Sequence, residues 1–242
     1  MCSRKCIYLL IFIAITFTAC QKEPVISNHD YKTLGISAHD FLSSSVYTSL
    51  QIQISYMPGF QPSPQTIDSL TSFLNTYLNK PQGINISEKQ IAASSKESLT
   101  LDEIVEIEKK NRTVFTNGNI ITAHVLITNG GYVTNDVFAK SYWNTSLCLF
   151  GKAINDNSGN VGQISTSQLT TTLLEHEFGH LLGLVGQGTP MQAYHKDAAN
   201  GAHCDNRNCL MYYNVETNNP GSITIPELDA NCKSDLKANG GK

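Results

Sequence analysis

The sequence predicts a mixed α/β (α+β) fold. It reads as a twisted mixed sheet with two backing helices, one long helix after the sheet, and a small C-terminal subdomain with a single helix. Three observations lead there. From about residue 50 to residue 166, apolar segments of strand type take turns with segments of helical apolar spacing. The stretch His176-Glu177-Phe178-Gly179-His180 then lies within a run that carries an apolar helical face. Past Gly183 the chain becomes polar and rich in turn-forming residues, with one more helical stretch near its end.

The chain opens with a leader. Arg4 and Lys5 precede an apolar run of 13 residues, Ile7 to Ala19, too short to span a bilayer but suited to a signal-peptide core. It ends Phe17-Thr18-Ala19-Cys20, small residues before a cysteine, which resembles the bacterial lipoprotein signal. That resemblance implies removal of residues 1–19, lipidation of Cys20 and anchoring to the membrane through the lipid. With no Asp after the cysteine, it points to an outer-membrane lipoprotein, on the periplasmic face or at the cell surface. Lys22-Glu23 resembles the surface-export signals of Bacteroidetes lipoproteins. Cys2 and Cys6 would leave with the leader. Cys148, Cys204, Cys209 and Cys232 remain, an even number in an oxidising compartment, and sequence does not choose among their three complete pairings.

Residues 20–45 lack periodicity and read as a tether. Leu50 to Tyr56 alternates apolar and polar residues, a half-buried strand closed by Met57-Pro58-Gly59. Ser63-Pro64 opens a helix with Pro at its first position, and Ile67, Leu70, Phe73, Leu74, Tyr77 and Leu78 form its apolar face. Gly83 to Ser87 reads as a short strand. Thr100-Leu101-Asp102-Glu103 resembles a capping box, and Ile104, Val105 and Ile107 carry that helix toward the basic Lys109-Lys110. Asn119 to Thr128 is β-branched and apolar, a buried strand in which His124 is expected to be a packed core or edge histidine. Asn129-Gly130-Gly131 turns the chain. Trp143 to Ala153 reads as another strand, residues 155–160 as a polar turn rather than a Ca²⁺ loop, and Gly162 to Thr166 as a last short strand. A Ser or Thr at 165–167 caps the next helix, and Leu169, Leu173, Leu174, Phe178, Leu181 and Leu182 supply its apolar face.

On that helix His176 and His180 lie one turn apart on one face, so two imidazoles can converge on one Zn²⁺, with Glu177 placed as a base toward a metal-bound water. Such a site needs a third protein ligand and an open position. Gly183 can take a left-handed conformation, stop the helix and return the chain toward the metal. The pattern H-E-x-x-H-x-x-G resembles the metzincin metallopeptidases. In most of them a third His follows the glycine by three residues, and here that position is Gly186. The ligand therefore lies further on, at His203 or, as the alternative, His195. His203 is favoured because His203-Cys204, Cys209 and Met211 resemble the arrangement in archaemetzincins, where the His is the third ligand and the Met forms the turn beneath the metal.

The resemblance implies domain limits of 46–242, with an upper subdomain at 46–183 and a lower one at 184–242. Ile225-Pro226-Glu227-Leu228 would open the shared C-terminal helix. A Tyr at the offset of Tyr213 approaches the metal or the oxyanion in astacin-like and serralysin-like relatives. Archaemetzincins hold a second zinc on cysteines that include a later C-x-x-C, which this chain lacks. A disulfide between Cys204 and Cys209, with Cys148 meeting Cys232, is expected in its place, and a structural zinc on these cysteines is the disfavoured alternative. Asp30 or Asp40 is a possible cap on the zinc, and residues 145–152 are the expected edge strand for a peptide.

The implied function is a zinc-dependent endopeptidase with one catalytic Zn²⁺, a protein or peptide substrate and a monomeric state. Two rival readings stand beside it. One is a peptidase of the gluzincin type, with Glu227 as third ligand. The other is a non-catalytic surface-binding lipoprotein with a structural or vestigial zinc site. The net charge of −3 and the lack of a basic block exclude nucleic acid as an expected partner.

Overall fold

The computed structural model describes residues 29–215 and 224–242. The leader, Cys20 and the first part of the tether lie outside these residues. In order, the elements are α1 (Ala38–Leu42), β1 (Ser49–Tyr56), α2 (Pro64–Tyr77), β2 (Ile84–Gln90), β3 (Ser98–Leu99), α3 (Leu101–Asn111), β4 (Ile120–Thr128), β5 (Gly131–Tyr132), β6 (Ala139–Trp143), β7 (Ser146–Phe150), α4 (Gly151–Asp156), α5 (Thr166–Leu181) and α6 (Ala230–Ala238). The five main strands lie in the order β2-β1-β4-β7-β6. β1 runs parallel to β2 and β4, β4 runs parallel to β7, and β6 closes the edge antiparallel to β7. The mixed sheet of the sequence reading is thus present.

Alternate residues of β4 and β7 serve different layers. Ile121, Ala123, Val125, Ile127, Leu147 and Leu149 join α2 and α5 in the larger core. Leu126, Cys148 and Phe150 join α3, through Ile104, in a smaller core on the other face. β4 is buried at eight of its nine positions because helices cover both faces, which explains its unbroken apolar run. Ser63 caps α2, and Thr100 and Glu103 form the expected capping box on α3. Among the described residues no helix is long and apolar enough to cross a membrane.

Several expectations are corrected. Residues 29–45 belong to the domain rather than to a tether: Asp30, Ala38, Phe41 and Leu42 are at most 1% exposed. Lys80 Nζ donates to the carbonyls of Asp40 at 2.8 Å, Ser43 at 2.5 Å and Tyr47 at 2.7 Å, closing this segment over the body as a strap. The strand read over 143–153 is two elements, since β7 ends at Phe150 and α4 starts at Gly151. No strand forms over 162–166. There Ser165 caps α5. The last helix starts at Ala230, capped by Asp229, so residues 225–228 precede it rather than open it. The edge strands are β2 and β6, and the 145–152 segment holds an interior strand, β7.

Candidate metal centre

Helix α5 is built to be surrounded. Ser165 Oγ accepts the N–H of Gln168, whose side chain accepts the N–H of Ser165, so both orphan donors at its start are satisfied. From Thr171 to Leu181 every residue is buried. A helix buried all round lies inside a domain rather than on its surface. Gly179 is small for a steric reason: a Cβ there would lie 2.3 Å from Sδ of Met211, which packs against the helix. Met211 is fully buried, as a methionine under the histidines should be. Gly183 takes φ +73° and its N–H caps the carbonyl of His180 at 3.0 Å, as the helix-stop reading required.

His176 and His180 meet at the end of this helix with Nε2 atoms 3.1 Å apart. His203 closes the triangle, its ring centroid 5.3 Å from that of His176 and 5.1 Å from that of His180. One nitrogen from each ring lies within 4.8 Å of the other two. Two of the outer nitrogens are spoken for. His176 Nδ1 donates to the Leu210 carbonyl at 2.8 Å, and His203 Nδ1 to the Asn200 carbonyl at 2.6 Å. Carbonyl partners fix the proton on Nδ1 and leave the Nε2 lone pairs facing inward. Burial lowers the pKa of all three rings, most for His180, where the neighbouring histidines add to it. Three neutral, convergent imidazoles, two buried and one half-buried, are a donor set that fits Zn²⁺.

Glu177 points to the sheet edge. Its Oε2 accepts the hydroxyl of Ser141, on β6, at 2.6 Å, and the same hydroxyl lies 3.0 Å from the Glu177 carbonyl. Burial raises the Glu177 pKa, and the Ser141 hydrogen bonds oppose that. Sequence reading missed Ser141, because a serine among Ala139, Lys140 and Tyr142 carries no local signal.

The third-ligand alternatives separate. His203 joins the triad and His195 does not. The two ride one hairpin, in which Asp197 N–H donates to the His203 carbonyl, Asp205 N–H to the His195 carbonyl, and Lys196 bridges Cys204. His203 and Cys204 are successive residues and serve different clusters. Glu227 sits at the surface paired with Lys233 at 2.9 Å, so it is not a ligand of the triad. Asp30 is held by the Thr116 N–H and hydroxyl and by Arg112, and Asp40 pairs with His29, so neither caps the centre. Tyr213 is 47% exposed, with its ring centroid 4.7 Å from that of Tyr212. His124 is fully buried in β4, its Nε2 3.0 Å from the Ser55 hydroxyl, a core histidine as expected.

The cysteines are corrected. All four are free thiols, so neither Cys204–Cys209 nor Cys148–Cys232 is bridged. Cys148 lies in the small core under α3, whereas Cys232 is on α6 and packs in the larger core. Cys204 and Cys232 instead gather with His195 and Asp229 in a second group of possible metal donors. His195 Nδ1 lies 3.4 Å from Cys204 Sγ and 3.9 Å from Cys232 Sγ, and its Nε2 lies 2.8 Å from Asp235. Cys209 Sγ lies 3.6 Å from Cys232 Sγ and accepts the N–H groups of Met211 and Asp229. The hydrogen bond from Cys232 leads the lowering of the Cys209 pKa to about 7, while burial pushes Cys204 up to about 12. The available signal was Asp229-Ala-Asn-Cys232, a D-x-x-C pair standing where a C-x-x-C was sought.

No family model matches the chain, and no curated protein matches it in sequence. Among solved structures it is similar to the archaemetzincin of Methanopyrus kandleri, with TM-score 0.53 and 15% identity over 79% of this chain and 96% of that one. It is also similar to metalloproteinase-II from Bacteroides fragilis, with TM-score 0.44 and 16% identity over 81% of this chain and 54% of that one. The fold is therefore of the archaemetzincin type.

Proposed function

We propose that this chain is a zinc-dependent endopeptidase whose metal is held by His176, His180 and His203 and whose general base is Glu177. The observation that carries the reading is the triad itself: three imidazoles with nitrogens within 4.8 Å, two of them buried on a helix that also supplies a buried carboxylate and the third half-buried on the hairpin. A structural site uses four protein ligands, whereas three histidines leave a position open for chemistry. The archaemetzincin-type fold supports the reading.

Bound Zn²⁺ would supply Lewis acidity toward a peptide carbonyl and lower the pKa of water toward about 7. The chain's own residues do the rest. Ser141 occupies Oε2 of Glu177 and so leaves Oε1 to take a proton from an attacking water. Glu177 then hands that proton to the leaving amine. Burial raises its pKa above the ordinary carboxylate range, the direction that suits a group which must return the proton it accepts. The β6 edge offers backbone donors and acceptors to an extended peptide, beside the residue that holds the base. His195, Cys204, Asp229 and Cys232, with Cys209 beside Cys232, support a second, structural ion in the lower region, in addition to the single catalytic ion the motif implies. The lipoprotein-type leader supports attachment through Cys20, and we retain a peptide substrate and a monomer as parts of the reading.

Metal analysis and a peptide-library cleavage assay, run with and without chelator, test this function. Glu177→Gln should keep its metal and lose about 10²- to 10⁴-fold of the activity, the usual weight of a general base. Undiminished cleavage by that variant would sink the mechanism.

A further inference from the structure

The three histidines are not equally supported. His176 and His203 give their Nδ1 protons to backbone carbonyls, but His180 Nδ1 is buried with no hydrogen-bond partner. A second orphan lies beside it. Gln187 Oε1 is also buried without a partner, and the Gln187 side chain lies close enough to His180 to interact with its ring. Each is the group the other lacks, and an unsatisfied buried pair is costly unless the two meet.

The chain goes to some length to bring Gln187 there. After α5 it turns through three left-handed residues, Gly183 at φ +73°, Val185 at φ +54° and Gly186 at φ +78°. A β-branched residue in that region is strained and persists only where the surroundings impose it. The surroundings are tight. Gln187 N–H donates to the Gly183 carbonyl at 3.1 Å, and the Thr189 hydroxyl donates to the Leu182 carbonyl at 2.6 Å. The strap closes the other side: a Cβ on Gly35 would lie 1.3 Å from the Gln187 carbonyl oxygen, so backbone packs on backbone. The loop cannot swing away from the histidine.

We propose that Gln187 is a positioning residue for the histidine centre: its side-chain oxygen accepts the Nδ1–H of His180, which fixes that ring's tautomer and turns its Nε2 toward the metal. The inference rests on reading the triad as a metal site and is independent of peptidase activity.

Cobalt(II) is the probe, because it separates the two centres by spectrum. The cysteine-containing centre gives a strong thiolate-to-metal charge-transfer band, while the histidine centre gives only weak d–d bands. Chelator competition on the full chain then yields an affinity for each. Gln187→Leu should weaken the histidine centre about 10- to 100-fold, the usual effect of losing an outer partner, and leave the cysteine centre unchanged. Gln187→Glu, which keeps the acceptor, should bind at least as tightly as the wild type. Wild-type affinity in Gln187→Leu, or an equal loss in both variants, overturns the proposal. A wild type that takes no cobalt on its histidines overturns it together with the metal-site reading, whereas a wild type that binds cobalt but cleaves nothing sinks only the peptidase. If the Leu variant does not fold, histidine ¹⁵N spectra of the zinc-loaded wild type decide. The His180 Nδ1 proton should exchange slowly, as one held by a buried side-chain oxygen does, and a rapidly exchanging Nδ1 proton refutes the assignment.

Discussion

The two donor clusters in this chain are one residue apart in sequence, at His203 and Cys204, yet they differ in kind. The histidine centre draws two of three donors from one helix, sets a carboxylate beside them and keeps a position free. The cysteine cluster draws its donors from His195, Cys204, Cys232 and Asp229 at the cap of α6, with Cys209 beside Cys232 and Asp235 bonded to His195. Three ligands and a base make a site for chemistry, and four ligands make a clamp. On the proposed reading, the difference teaches how one short hairpin serves catalysis on one side and ties the lower region together on the other.

Removing a clamp ligand is the largest way to break this contrast. Cys232→Ser should release one metal ion and lower the melting temperature markedly, because binding energy at a structural site is folding energy, on the order of 10 kcal/mol in small zinc domains. Glu177→Gln should leave both metal content and melting temperature as they are while activity disappears. Metal analysis and calorimetry on the two variants check the pair. If Cys232→Ser keeps two ions and its melting temperature, the cysteine cluster is a packed group of thiols and the contrast fails.

The same contrast explains what could be read in the chain. His176, Glu177 and His180 were legible because helical periodicity places residues four apart on one face, so local sequence encodes the site. Gly183 was legible through its spacing from that motif and Met211 through the archaemetzincin resemblance; Gly183 is left-handed and Met211 packs against α5. The cysteine cluster was hidden by its long separations, and the thiols looked like disulfide partners because an export leader implies an oxidising compartment. Ser141 and Gln187 were hidden for a further reason. Their roles depend on sheet register and on the path of a left-handed loop, and neither is written in residue type. The strap was misread because its buried residues, Asp30, Ala38, Phe41 and Leu42, are too irregularly spaced to show a period. The sheet was legible in its β-branched runs, and its edge was not, since β6 is intermediate in burial throughout and carries no clear alternation.

A smaller effect sharpens the catalytic side. Ser141→Ala removes the donor that holds Glu177 Oε2 and leaves the β6 backbone intact. Hydrogen bonds to charged groups contribute about 1.5–3 kcal/mol. We therefore expect kcat to fall roughly 10- to 100-fold, with KM nearly constant and both metal ions retained. Ser141→Thr should recover most of the rate. Steady-state kinetics decide. A rise in KM with kcat unchanged would mean that Ser141 serves the substrate strand rather than the base.

The smallest effect concerns what the two centres share. The strap packs Gly35 against Gln187 and gives His39 Nδ1 to the Asn239 carbonyl at the end of α6, so it touches the flank of both. Lys80 fastens it, and burial lowers the Lys80 pKa to about 8, against an attraction to Asp40 that works the other way. In the folded protein the ammonium is thus disfavoured relative to the unfolded chain, where its pKa is near 10.4. Between these values the unfolded state holds more protons, and stability rises with pH wherever that is so. The advantage of the wild type over Lys80→Met should be least below pH 8 and should grow as pH climbs toward 10. Urea unfolding of both proteins at pH 7, 8.5 and 10 measures it, and a difference that is flat or shrinks refutes the assignment. Cobalt affinities of the Lys80→Met variant extend the test to the contrast. A strap common to both centres should weaken them together, and a loss confined to the histidines would show that it serves the Gln187 loop alone.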